Sequence, residues 1–480
     1  MSSEHSRHGT GAPRPPTGDG GHVDASAPGG MSVHEGHEGK ADEPGEMDAM
    51  MAHGLATPWA HFFAAIILGV WLVTSPVSLG YRDVALAWSD AISGVLVIVF
   101  ATITLVRGSA WAPWANSLVG VWLLFAPLIF WAPTAVAYAN DTLSGTLLIT
   151  FVLLMPGMPG MRMLPGPDVP PGWSYNPSTW PQRAPIIALA FVGFFLSRYM
   201  ATYQLGYIDS VWDPFFGEGT QRVLDSDVSR AFPISDAGFG GVAYMVEALM
   251  GFMGDKQRWR TMPWMVTFFG ILVVPLGIVS ITLITLQPVS VGYWATPALI
   301  AALAMLVMIT LTLDEVVAMG QFLVRARREG QPVWRVFWLG GTLAEASRDE
   351  RLTRPDVVSA KAMVWGVALA WNLLASAAIG LWLMASPALF GSTGLAAHSD
   401  HLVGALAVTV AMISLSDVGR AVRFVNVLFG AWFIAAPWLL GGATTASSVN
   451  DVIAGVVLIL LSLPRGPIGE RYGSWNRYIR

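Results

Sequence analysis

The sequence predicts an all-α, polytopic integral membrane protein of about twelve transmembrane helices arranged in helical bundles. Three observations predict it. Of the 480 residues, 54% are hydrophobic and only 12% charged, too apolar a balance for a water-soluble chain. Stretches of ~20 mostly apolar residues, enough to cross a hydrocarbon core of about 30 Å, recur along nearly the whole chain after residue 55. Basic residues gather in alternate connections, as repeated crossing of a membrane requires. The net charge of −5 identifies no partner: the lipid bilayer is expected, a membrane-protein partner stays open, and no nucleic acid is expected.

Residues 1–54 differ from the rest, being rich in Gly, Pro, Ser, His and Glu with no apolar run, a composition that cannot bury enough surface to fold. This segment reads as a disordered tail. It lacks the basic start and short apolar core of a signal peptide, so the first helix is expected to serve as the insertion signal. His34 and His37, beside Glu35 and Glu38, are a weak pair of metal-ligand candidates, because imidazole and carboxylate suit divalent ions. With no thiolate and no rigid frame, a solvated tail is the plainer reading.

The apolar segments contain an internal repeat. Gly69-Val70-Trp71 leads to Ser75-Pro76, Gly120-Val121-Trp122 to Ala126-Pro127, Gly380-Leu381-Trp382 to Ser386-Pro387, and Gly430-Ala431-Trp432 to Ala436-Pro437. An acidic residue follows each proline, with a glycine four positions further on: Asp90 and Gly94, Asp141 and Gly145, Asp400 and Gly404, Asp451 and Gly455. Each unit spans about 50 residues, the length of a two-helix hairpin. Glycine permits close helix approach, and tryptophan near a helix end suits the membrane interface. Pro76, Pro127, Pro387 and Pro437 are expected to end or kink the first helix of each hairpin. The aspartates are expected at the start of the second helix, capping free N–H groups at the positive end of its dipole.

These units resemble the SPW-repeat family of bacterial membrane proteins, Ser75-Pro76 and Ser386-Pro387 coming closest to its signature and Ala436-Pro437-Trp438 supplying the tryptophan after proline. The family is known as an architecture, so the resemblance implies two four-helix modules, at 55–160 and 361–465, and little about chemistry.

The central segment, 184–328, breaks the repeat with four apolar spans near 185–207, 238–254, 262–286 and 292–312. A polar loop lies between the first two. Arg222-Val223-Leu224 in that loop, Phe232-Pro233 before the second span, and Trp294-Ala295-Thr296-Pro297-Ala298-Leu299 at the fourth resemble the vitamin K epoxide reductase family. The resemblance implies a four-helix bundle that passes electrons between thiols and a quinone. It also implies a Cys-x-x-Cys pair at Ala295 and Ala298 and a second pair in the loop, where Thr220 stands near one position. The chain has no cysteine at all. Thiol–disulfide exchange needs a thiolate attacking a sulfur, so the family's usual reaction is excluded.

Three readings follow. The first is a cysteine-free, non-catalytic structural or regulatory protein, with no cofactor. The second is a quinone-binding membrane oxidoreductase of the same type, because a cavity can outlast its cysteines. The third is a small-molecule transporter, since charges within spans often mark pathways.

Counting basic residues places both termini on the cytoplasmic side, implying a bacterial inner-membrane protein. A cytoplasmic linker is expected over 329–360 and a cytoplasmic tail over 466–480. The segment Asp314 to Arg328 reads as a helical extension of the fourth span, its basic cluster suited to anionic lipid head groups. Arg198 is the one basic residue placed deep inside an apolar span. Glu247, at matching depth in the next span by counting from the loop, is its expected ion-pair partner. Tyr203 and Gln204 lie toward the loop and would complete a polar pocket where a quinone carbonyl could dock.

Overall fold

The computed structural model describes residues 58–82, 84–154, 164, 166–343 and 359–479. The tail with His34 and His37 lies outside the described residues. Twelve principal helices follow in order: α1 Pro58–Ser78, α2 Ala85–Arg107, α3 Ala112–Ile129, α4 Ala135–Leu153, α5 Trp180–Gln204, α6 Asp236–Phe252, α7 Pro263–Leu286, α8 Thr296–Arg328, α9 Trp371–Phe390, α10 Gly394–Leu415, α11 Val425–Leu439 and α12 Thr445–Ser462. Among the described residues, eleven helices are long and apolar enough to cross a membrane, the α11 span starting at Arg420. The remaining one, α6, has 17 residues, or about 26 Å of helix, at the short end of what a bilayer core needs.

Helices α1–α4 form one four-helix module and α9–α12 another. In each, sequential helices pack as hairpins, and the first helix also packs on the fourth. The repeat glycines explain the closeness of the hairpins. A Cβ at Gly94 would lie 2.5 Å from the Gly69 carbonyl oxygen, at Gly145 2.6 Å from that of Gly120, at Gly404 2.8 Å from that of Gly380, and at Gly455 2.6 Å from that of Gly430. No larger residue fits without parting the helices. The repeat prolines lie inside α1, α3, α9 and α11, and each helix ends two or three residues later.

The repeat tryptophans do more than sit at an interface. Each indole N–H crosses to the other hairpin and donates to the residue just before that hairpin's aspartate: Trp71 to Asn140 at 2.8 Å, Trp122 to Ser89 at 2.9 Å, Trp382 to Asn450 at 2.7 Å and Trp432 to Ser399 at 2.8 Å. The aspartates correct an expectation. Asp90, Asp141, Asp400 and Asp451 are not helix caps. Thr134 and Thr444 cap α4 and α12 with their side chains, whereas the aspartates lie more than a turn inside their helices and are buried. The turn after each proline is shorter than the spacing to the aspartate suggested, so the second helix begins more than a turn before it.

The central bundle, α5–α8, packs α6 against α3 and α4 of the first module, and α7 and α8 against α10 of the second. Helix α8 runs unbroken for 33 residues, taking Asp314 to Arg328 as the continuation of the span. The expected linker is structured at its start: Val333–Leu339 is helical, and Trp338 stacks on Trp264 with ring centroids 6.4 Å apart. Residues 344–358 lie outside the described residues.

Candidate functional site

The loop between α5 and α6 folds back over the bundle as a cap. Its short helix Gly219–Leu224 rests on the turn before α8, where a Cβ on Gly219 would come within 2.2 Å of the Trp294 carbonyl oxygen. Arg222 extends the contact, donating to the Tyr293 hydroxyl at 2.5 Å. The fixed point is Asp213. Its Oδ2 accepts from the Thr220 hydroxyl at 2.5 Å and the Thr296 N–H at 3.1 Å. Its Oδ1 accepts from the Thr296 hydroxyl at 2.5 Å and from the Phe215 and Phe216 N–H groups at 3.1 and 2.9 Å. Burial alone would push this carboxyl up, but the donors from Thr220, Thr296 and Phe216 outweigh it and hold it well below the usual carboxylate range. Thr220 and Thr296 are both buried, so one carboxylate ties the middle of the cap to the first turn of α8.

Ala295 and Ala298 flank this tie. Ala295 is fully buried, its N–H donating to Gln287 Oε1 at 3.0 Å. Ala298 lines a cavity of about 130 Å³ below the cap, with Met200, Leu224, Tyr244, Ile284 and Ala301. A mostly apolar space of this size holds one six-membered ring; an engineered cavity of ~150 Å³ in another protein binds benzene. Tyr244 is fixed as a wall by donating to the Ala301 carbonyl at 2.7 Å.

The four expected pocket residues do not assemble. Arg198 and Glu247 form no ion pair: both Glu247 carboxylate oxygens are buried without a hydrogen-bond partner, and the Arg198 guanidinium lies 5.4 Å over the Tyr138 ring instead. The register between α5 and α6 is the cause. Gly241 meets the Arg198 backbone, Gly193 takes the Tyr244 ring and Gly251 lies against Ile187. Glu247 is therefore level with the region of Phe191, about seven residues or ~10 Å deeper than Arg198. Tyr203 and Gln204 do share a pocket, of about 540 Å³, at the rim of the bundle. There Tyr203 donates to Asp225 at 2.9 Å. Gln204 is consumed in holding the start of α6, donating to Asp236 at 2.6 Å and accepting from Ser235 at 2.5 Å.

A second polar centre, unforeseen from sequence, lies at the opposite end of the bundle. Arg258 grips Glu315 with Nε and Nη2 at 2.6 Å each, and Ser178 donates to the same carboxylate. Arg258 and Arg183 also cover the carbonyl end of α6, with Arg183 Nη1 2.9 Å from the Gly254 oxygen. Arg183 is buried in the first turn of α5. Beside this pair Tyr175 donates to Asp314, and Ser416 of the second module reaches the same carboxylate at 3.3 Å. Tyr472, from the chain after α12, donates to Asp417 at 3.1 Å, and Arg420 adds a buried ion pair to it at 2.8 Å. Burial and the neighbouring carboxylates push the Tyr175 and Tyr472 hydroxyls up, keeping both as donors. The centre joins central bundle, second module and C-terminal segment. The sequence signal was the Asp314-Glu315 pair within an otherwise apolar helix.

Comparison with known proteins agrees with this division of the chain. Residues 184–313 match the model of the vitamin K epoxide reductase family, and residues 59–155 and 370–464 match the SPW repeat domain. No curated protein and no solved structure matches. The chain thus carries a central segment similar to the vitamin K epoxide reductase family, without cysteines, between two segments similar to the SPW repeat domain.

Proposed function

We propose that this is a non-catalytic membrane protein of structural or regulatory role, in which a reductase-like bundle is locked shut rather than operated by thiols. The observation that carries this reading is the Asp213 tie. Where the family resemblance implies cysteines near Thr220 and at Ala295 and Ala298, the chain has hydrogen-bonding and apolar groups that neither accept nor store electrons. Asp213, Thr220 and Thr296 hold cap and bundle together by hydrogen bonds whose donors and acceptor are unaffected by redox poise. The buried centre at the other end ties the bundle to the second module, which suits a scaffold. Purified protein given a dithiol and a soluble quinone should consume quinone at the rate of a protein-free control; a rate well above it that scales with protein concentration would overturn the reading.

A second reading, quinone binding without turnover, is favoured by the cavity beneath the cap. Its volume suits a single ring and not a fused ring system with a tail. A tailless benzoquinone should quench tryptophan emission saturably, and filling the space with Ala298→Phe should abolish that quenching. Equal quenching of both proteins would remove this reading and leave the first intact.

A further inference from the structure

Each four-helix module brings two buried aspartates from equivalent helices to its centre, level with the crossing tryptophans. In the first module, Asp90 from α2 and Asp141 from α4 are joined through Tyr81 and Asn140, whose amide lies 3.3 Å from the Tyr81 hydroxyl. Both are wholly buried. Tyr81 donates to Asp90 Oδ2 at 2.7 Å and Asn140 donates to Asp141 Oδ1 at 3.2 Å. Those two donors satisfy one oxygen of each carboxyl. The other two, Asp90 Oδ1 and Asp141 Oδ2, are buried with no donor.

The groups around the pair supply no positive charge. Ser75 bonds to Tyr81 at 3.1 Å, and Asn140 is itself fixed by the Trp71 indole. Tyr138 and Tyr207 lie alongside, the latter donating to the Ala132 carbonyl at 2.5 Å. Arg198, the basic side chain on this flank, faces the Tyr138 ring, and among the described residues no lysine, arginine or histidine is paired with either aspartate. The second module carries part of the arrangement, with His398 and His401 on the same helix as Asp400. Asp451 is the charged neighbour of Asp400, Asn450 donates to Asp451 at 3.1 Å, and Asp400 Oδ2 is buried without a donor.

Two adjacent carboxylates in an apolar module, without a counter-charge, cannot both be ionised. We propose that Asp90 and Asp141 form a proton-binding site, one proton shared by the two carboxyls, and that Asp400 and Asp451 form a second. The O–H bond forms on one carboxyl and the partner carboxylate accepts it; nothing else is exchanged. A metal cation is the competing occupant, disfavoured because the neutral groups that meet the pair, the Tyr81 hydroxyl and the Asn140 amide, turn hydrogens and not lone pairs toward it.

Infrared difference spectroscopy of the full-length protein, between light and heavy water, tests this. Wild type should show a carboxylic-acid carbonyl band that shifts on exchange, and Asp90→Asn/Asp141→Asn should lose part of it. Should that variant fail to fold, Asp400→Asn/Asp451→Asn reads the same outcome in the other module. An unchanged acid band in the folded double variant would overturn the proposal. So would a rise in wild-type Tm on adding sodium or potassium that the double variant lacks, since it would assign the site to a metal cation.

Discussion

Replacing Asp213 by alanine removes the acceptor for five hydrogen bonds at once, from the hydroxyls of Thr220 and Thr296 and the N–H groups of Phe215, Phe216 and Thr296. Hydrogen bonds to a charged group contribute about 1.5–3 kcal/mol each, and a buried donor left unpaired costs about 1–3 kcal/mol. The Phe215 and Phe216 groups belong to exposed loop and can turn to water. Thr220 and Thr296 cannot, so Asp213→Ala should destabilise the protein by ~3–5 kcal/mol. The effect has a pH signature. Because the folded carboxyl is held below its ordinary value, its stabilisation is complete above pH ~4, the unfolded carboxylate value, and is lost as pH falls through the lower folded value. Thermal unfolding in detergent at pH 7 should show a clearly lowered Tm for Asp213→Ala. Wild type should lose stability on acidification by more than Asp213→Asn does. An alanine variant with wild-type Tm at pH 7 would refute the reasoning, because it would mean that the five contacts hold nothing in place.

Other perturbations separate the remaining contacts. Gly430→Ala sets a Cβ 2.6 Å from the Gly455 carbonyl oxygen, and the forced parting of α11 and α12 should cost about 1–3 kcal/mol, read as a lower Tm. Arg258→Met should cost ~3–5 kcal/mol by leaving Glu315 buried and unpaired, whereas Arg258→Met with Glu315→Leu should cost less than that single change; a double variant worse than the single would contradict it. Arg198→Gln and Glu247→Gln should have additive effects on unfolding, to within about 0.5 kcal/mol, because the two residues lie at different depths. A coupling well beyond that would restore the ion pair that the register denies.

Much of the fold was legible because its determinants are local. Apolar run length gives the spans, and the repeated Gly, Trp, Pro and Asp positions give the hairpins, whose glycines then meet pairwise at Gly69 and Gly94 or Gly430 and Gly455. What depends on register between helices was not legible. Counting inward from the loop put Arg198 and Glu247 level, but α5 ends at Gln204 and α6 starts at Asp236, so one lies under two turns from its helix end and the other three turns deep. Composition could not say that Arg183 and Arg258 would both be buried against the carbonyls ending α6. Asp213 read as one acid among several in a polar loop. Its partners Thr220 and Thr296 are 7 and 83 residues away, and only the folded cap brings them to one carboxylate.

Returning cysteines to the two alanine positions is the most direct measurement. Ala295→Cys/Ala298→Cys recreates the Cys-x-x-Cys pair of the family resemblance at the edge of the cavity, but the cap still presents Thr220 bonded to Asp213 and no second thiol pair. Dithiol-driven quinone reduction by the purified variant in liposomes should stay at the protein-free rate even where the introduced pair forms a disulfide. Sustained turnover by the variant, absent from wild type, would show that the bundle is only two sulfurs short of an enzyme and would contradict a structure locked by hydrogen bonds.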